Sequence, residues 1–121
     1  MKNILVVDDE PAVLTLMCHL VKAAMYNPIK ADNALQAIMV LEKSKRIDAM
    51  VLDIHMPELN GVELAKLVRL TRPTMPILFV TGLGEIDGVV SSDFFDGPGL
   101  HYLAKPFTNQ AFKDNVNSMF N

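Results

Sequence analysis

Apolar residues along the chain gather in five short, nearly unbroken runs, separated by stretches in which they recur at helical spacing. The runs cover residues 3–8 (NILVVD), 26–30, 48–53 (DAMVLD), 76–81 (PILFVT) and 100–105. Runs of Val, Ile and Leu without polar alternation predict strands covered on both faces, as in a parallel sheet. The run at 26–30 is weaker and carries Pro28, which cannot donate to a strand ladder and so predicts an edge strand. Between the runs, Val13, Leu14, Met17, Val21 and Ala24 follow Pro11 at helical spacing, with proline suited to a first turn. Asp32 is expected to cap a second helix that turns Ala34, Ile38 and Leu41 to one face. Leu64, Leu67 and Val68 form the stripe of a third. The last helix is expected to start near Thr108 and to carry Ala111, Phe112, Val116 and Met119. Strand–helix alternation of this kind predicts an α/β doubly wound sheet.

One stretch is poorly written. Between Thr81 and Lys105 stand Gly82, Gly84, Gly88, Gly97 and Gly99, with Pro98. Glycine inside a helix costs about 0.5–1 kcal/mol relative to alanine. Ile86, Val89, Val90, Phe94 and Phe95 still allow a short helix over 87–95, stopped by Gly97 and Pro98.

Composition narrows the picture. The chain of 121 residues suits one domain, expected to span 1–121, and half of it is hydrophobic. Fourteen acidic against 11 basic residues give a net charge of −3, which argues against a nucleic-acid surface. The single cysteine, Cys18, allows no internal disulfide, and a cytoplasmic setting fits. No segment reads as a signal peptide or a membrane span. The eight methionines are most simply core filler.

Ligands of open α/β sheets bind beyond the carboxyl ends of the strands. Asp8 and Asp9 stand at the end of the first strand, Asp53 of the third, Thr81 of the fourth and Lys105 of the fifth. Three carboxylates brought together repel unless a cation joins them, and an all-oxygen set points to magnesium. With a fixed ammonium and a hydroxyl opposite, these are the parts for phosphoryl transfer. A carboxylate can be the nucleophile, and Asp53 is the most central. Asp8 and Asp9 could instead cap the first helix, and both roles are compatible.

At this spacing the chain resembles the receiver domain of two-component response regulators over its full length. The matching residues are Asp8-Asp9, then Asp53 with Met56-Pro57 and Gly61 (DIHMPELNG), Thr81-Gly82, and Lys105-Pro106-Phe107. The resemblance implies a five-stranded parallel sheet in the order 2-1-3-4-5, flavodoxin-like, with helices on both faces. It implies that Asp53 accepts phosphate from a sensor histidine kinase or a histidine phosphotransfer protein. It implies magnesium, which manganese can replace, on Asp9 and Asp53, on Asp8 partly through water, and on the backbone carbonyl of His55. Lys105 would pair with the phosphoryl group, Thr81 would shift toward it, and Tyr102 would swing inward. It further implies a cis Lys105–Pro106 bond and, with His55 and Leu83 flanking the path of attacking water, a long phosphoryl lifetime. The partners implied are the phosphodonor and a downstream protein or effector domain, with a homodimer allowed and neither nucleic acid nor membrane bound directly. Such a domain is a switch rather than a turnover enzyme, catalysing only its own phosphorylation and dephosphorylation.

Two other readings compete. A phosphohydrolase of the haloacid-dehalogenase type also uses a strand-end Asp and magnesium, but wants a second Asp where this chain has His55. A receiver used only for docking, without phosphorylation, would have lost Asp53, Thr81 or Lys105, and all three are present.

Overall fold

The computed structural model describes residues 1–44, 46–56, 59–82 and 98–120. Five strands, β1 (Asn3–Val7), β2 (Asn27–Ala31), β3 (Ala49–Asp53), β4 (Ile77–Gly82) and β5 (Leu100–Lys105), form one parallel sheet in the order β2-β1-β3-β4-β5. The described helices are α1 (Pro11–Ala23), α2 (Ala34–Lys43), α3 (Gly61–Thr71) and, last in the chain, α4 (Asn109–Ser118). The helix expected over 87–95 and the expectation about Leu83 lie outside the described residues, as does Pro57 of the quoted motif.

Side chains alternate across the sheet and build two cores. Leu5, Val7, Met50, Leu52, Ile77 and Phe79 face α2 and α3, whose Ala34, Ala37, Leu64, Ala65 and Val68 are buried there. Ile4, Val6, Val51, Leu78 and Val80 face α1 and α4, through Leu14, Met17, Val21, Phe112 and Val116. β1, β3 and β4 are covered on both sides, which is why their sequences show no polar alternation. Pro28 does sit on an edge strand, paired only with β1.

Three local expectations change. The cap of α2 is Asn33, whose side chain accepts the Gln36 N–H at 2.8 Å. Asp32 stands one residue earlier, where its own N–H donates to the Gln36 side chain at 2.9 Å and its carboxylate accepts from Asn33. Both are good capping types, so adjacency hid which one held the position. Leu67, expected in the buried stripe of α3, is 47% exposed. The buried face is instead Gly61, Leu64, Ala65 and Val68, rotated away from it. The cap of α1 is Glu10, with no side-chain bond, so neither Asp8 nor Asp9 caps that helix. Thr108 caps α4 as expected, accepting the Ala111 N–H at 3.0 Å.

Candidate functional site

Because every strand runs the same way, all carboxyl ends open on one edge. β1 and β3 are neighbours there while β2 lies on the far side of β1, so the crossovers diverge and leave a crevice at this point. Asp8 follows β1 directly, and Asp9 comes next at the entry to α1. The Asp8 side chain turns back on its own loop, its Oδ1 accepting the Glu10 N–H at 2.9 Å. Asp53 ends β3, and its Oδ1 accepts the His55 N–H at 3.1 Å. Each of these buried carboxylates is therefore held by one backbone donor two residues ahead, which leaves its other oxygen turned into the crevice.

Carboxylate oxygens of Asp8, Asp9 and Asp53 all lie within 4.8 Å of one another. Lys105, at the end of β5, reaches across β4 to them. Its Nζ is 3.5 Å from Asp53 Oδ2 and 3.6 Å from Asp8 Oδ2. Both separations are long for direct hydrogen bonds, so the ammonium acts mainly as a charge. The Lys105–Pro106 bond is cis, as the family resemblance implied.

Electrostatically the cluster is under-compensated. Burial pushes the Asp53 carboxyl above its usual value; Lys105 opposes this, and the charge on Asp8 adds to it. Burial likewise raises Asp8, against the Glu10 N–H and Lys105 and with the help of Asp9. Asp8 Oδ2 is buried and has no hydrogen-bond donor among the described residues. Among the described residues, one ammonium faces three acids and a buried carboxylate oxygen lacks a donor. A hard divalent cation with oxygen ligands fits this set on both counts.

The other expected residues lie around this centre. Thr81 is fully buried near the end of β4, in register with Ala104 of β5. Tyr102 is half-buried on β5, its ring stacked at 6.0 Å on Phe79 of β4. The His55 side chain is exposed, outside the three-carboxylate group.

Two structural determinants were not read from the sequence: how Gly61, visible only as a motif position, and its cap Asn60 seat the start of α3, and what Arg69 holds. Gly61 begins α3 directly beneath Asp53, and its N–H donates to the Ile54 carbonyl at 2.8 Å. Asn60 caps the same helix, accepting the Glu63 N–H at 2.9 Å while Glu63 Oε1 accepts from the Asn60 amide at 3.0 Å. The Asn-x-x-Glu spacing was the legible signal for that start. Arg69 had no such signal. Its guanidinium donates to the carbonyls of Met75 (2.9 Å), Pro73 (3.1 Å) and Pro98 (2.9 Å), tying α3 to the turns that enter β4 and β5.

Comparison with known proteins agrees with this geometry. The sequence profile of the response regulator receiver domain matches residues 4–117. The alkaline phosphatase synthesis transcriptional regulatory protein PhoP of Bacillus subtilis is 32% identical over 119 residues, which cover 98% of this chain and 48% of that protein. A putative NtrX-like response regulator of Rickettsia conorii is 31% identical over 109 residues, 88% of this chain. The chain thus spans about half the length of the first of these relatives and 22% of the second. Among solved structures, the response regulator TrrA of Thermotoga maritima, in complex with magnesium and beryllofluoride, superposes with a TM-score of 0.85 at 28% identity. That match covers 98% of this chain and 99% of TrrA. No helix among the described residues is long and apolar enough to cross a membrane. The fold, the strand-end acids and these relatives agree: the chain belongs to the response regulator receiver domain family, the signalling module of two-component systems.

Proposed function

We propose that this receiver, spanning 1–121, is a cytoplasmic phosphorylation-activated switch whose phosphoacceptor is Asp53. The observation that carries the reading is the meeting of three carboxylates from two neighbouring strand ends with the ammonium of Lys105. Asp53 Oδ1 is engaged by the His55 N–H, so Oδ2, which faces the Lys105 ammonium at 3.5 Å, is the nucleophilic oxygen. It attacks the phosphorus of a phosphohistidine on a sensor kinase or a histidine phosphotransfer protein. The new bond is Asp53 O–P, the broken bond is P–N, and the electron pair leaves with the donor's imidazole. Lys105 balances charge on the transferred group, and Asp53, Lys105 and Thr81 together make the catalytic set.

Asp8, Asp9, Asp53 and the backbone carbonyl of His55 would hold magnesium, which neutralises the acids and the incoming phosphoryl charge. The magnesium–beryllofluoride complex of TrrA, 28% identical, supports this ion. Thr81 and Tyr102 would read the modified state, the hydroxyl moving toward the phosphoryl group and the ring into the space released. The phosphoryl group can shift the equilibrium only by its differential interaction with two pre-existing states. Output passes to a downstream protein or effector domain.

Incubation with acetyl phosphate, with and without magnesium or manganese, tests the reading by intact mass. One added phosphoryl group is expected, dependent on the ion and absent in Asp53→Asn. Equal labelling of the variant would remove Asp53 as acceptor.

A further inference from the structure

β5 is the strand least able to set its own register. It lies at one edge of the sheet, paired with β4 alone among the described residues. The other four strands each bury at least one residue fully, whereas all six residues of β5 are half-buried. Burial therefore specifies weakly which face each β5 position takes. Its last residue, Lys105, must nevertheless bring its Nζ to 3.5 Å from Asp53 Oδ2 and 3.6 Å from Asp8 Oδ2. A slip of one residue along β4 would move Lys105 by about 3.3 Å and turn its side chain to the opposite face. The ammonium would then leave the acids.

The anchor against such a slip stands at the other end of the strand. Ile77, first in β4, donates its N–H to the Gly99 carbonyl at 2.9 Å, one residue before β5 begins. Gly99 has a φ of 81°, and a β-carbon there would lie 3.1 Å from Arg69 Nη2. That same Nη2 donates to the Pro98 carbonyl at 2.9 Å. Arg69 Nε and Nη1 donate to the carbonyls of Met75 and Pro73, just ahead of β4, at 2.9 and 3.1 Å. One planar, rigid fork thus holds the entries of both strands in a single offset. The helix that carries it is itself seated beside Asp53, through the Gly61 N–H on the Ile54 carbonyl at 2.8 Å.

We infer that Arg69 is a positioning residue for Lys105: by fixing the offset of β5 on β4, it delivers the ammonium to the acids at the far end of the ladder. Each of its three nitrogens holds a carbonyl at the opposite edge of the sheet, so it acts through the strands and not on the acids. What Lys105 does for phosphoryl transfer rests on the proposed function; where Lys105 is placed does not.

Arg69→Lys keeps the charge and loses the fork. In metal-free, unphosphorylated protein, acetylation by an amine reagent is read lysine by lysine by mass spectrometry. Lys105 is expected to react about fivefold faster in the variant, an effect of the size that networked residues show, with Lys113 of α4 unchanged as the control. An unchanged Lys105 would overturn the inference, because looseness confined to the entry of β5 stops short of it. Labelling with acetyl phosphate and magnesium supplies the second arm. Arg69→Lys is expected to label about fivefold more slowly than wild type, and the same change in a Lys105→Ala background to have an effect below about twofold. Equal slowing in both backgrounds would mean general damage and would also overturn the inference. Labelling of Lys105→Ala at the wild-type rate would instead sink the role given to Lys105 in the proposed function, and the acetylation arm would still decide whether Arg69 places it.

Discussion

Gly61 packs against Asp53 so closely that a β-carbon at position 61 would collide with the Asp53 carbonyl oxygen. The same atom would lie 2.7 Å from Leu52 Cδ1 and 2.9 Å from the Ile54 Cα. The start of α3 is thereby seated against the end of β3. Two of the three obstacles are backbone, which cannot rotate away. Gly61→Ala must separate α3 from the strand that carries Asp53. It is expected to cost about 1–3 kcal/mol, as overpacking does, measured by urea unfolding. The same displacement moves the loop holding Asp53, so labelling by acetyl phosphate should slow at least several-fold. Wild-type stability and labelling in the variant would show that the close seat is unnecessary.

The acid cluster should cost stability when no metal is bound. Burial raises both Asp8 and Asp53 above the ordinary value of 3.8, so the folded state disfavours their charged forms. A carboxyl raised on folding contributes stability that is full below its unfolded pKa and is lost as pH rises through the folded one. Asp53→Asn and Asp8→Asn remove that loss. In chelator at pH 7 each is expected to gain on the order of 1 kcal/mol, a rise of a few degrees in midpoint. The gain should shrink toward zero as pH falls below the usual carboxylate range. Magnesium should stabilise the wild type more than either variant. Thermal unfolding at several pH values checks the sign, and a gain that grew on acidification would contradict it.

Arg69 holds three carbonyls from two turns with one guanidinium, a geometry lysine cannot copy. Partial burial lowers its pKa. Arg69→Lys leaves at least one of these carbonyls without its donor and should cost about 1–3 kcal/mol in chemical unfolding. Hydrogen exchange at the start of β5 should rise with it, because Pro98 loses its tie. Unchanged protection there would show that Arg69 is only a local solubilising residue.

Thr81 is fully buried, and under the proposed function its hydroxyl approaches the phosphoryl group while the nucleophile and the metal-holding acids are other residues. Thr81→Ala should therefore still bind beryllofluoride with magnesium at Asp53. The change in the Tyr102 ring resonances on activation should fall by most of its wild-type amplitude. A full Tyr102 response in the variant would separate the two residues.

The strands were legible because burial on both faces writes itself as uninterrupted Val, Ile and Leu, which is what β1, β3 and β4 require. The acids and the lysine were legible because parallel strands bring every carboxyl end to one edge, so sequence position alone predicted convergence. Details that depend on rotation or on neighbouring equivalents were not. Leu67 shares the helical period of Leu64 and Val68, and only packing decides which side of the stripe faces inward. Asp32 and Asn33 have nearly equal capping preferences. Gly61 was visible as a motif position, but the collision that requires it belongs to a strand distant in sequence. Arg69 reads as an ordinary surface charge until the turns around it are in place.

The strand order also has a temporal meaning. β1 lies inside the sheet although it is made first, with β2 on one side and β3, β4 and β5 added in chain order on the other. Each later strand meets an edge already assembled, so the sheet can grow in step with synthesis. Lys105 closes the last strand to arrive, whereas Asp8, Asp9 and Asp53 are in place several elements earlier. A chain halted before β5 would hold its acids without their cation. Under the proposed function, the crevice gains its cation, and with it the charge balance that an incoming phosphoryl group needs, only when the sheet is complete.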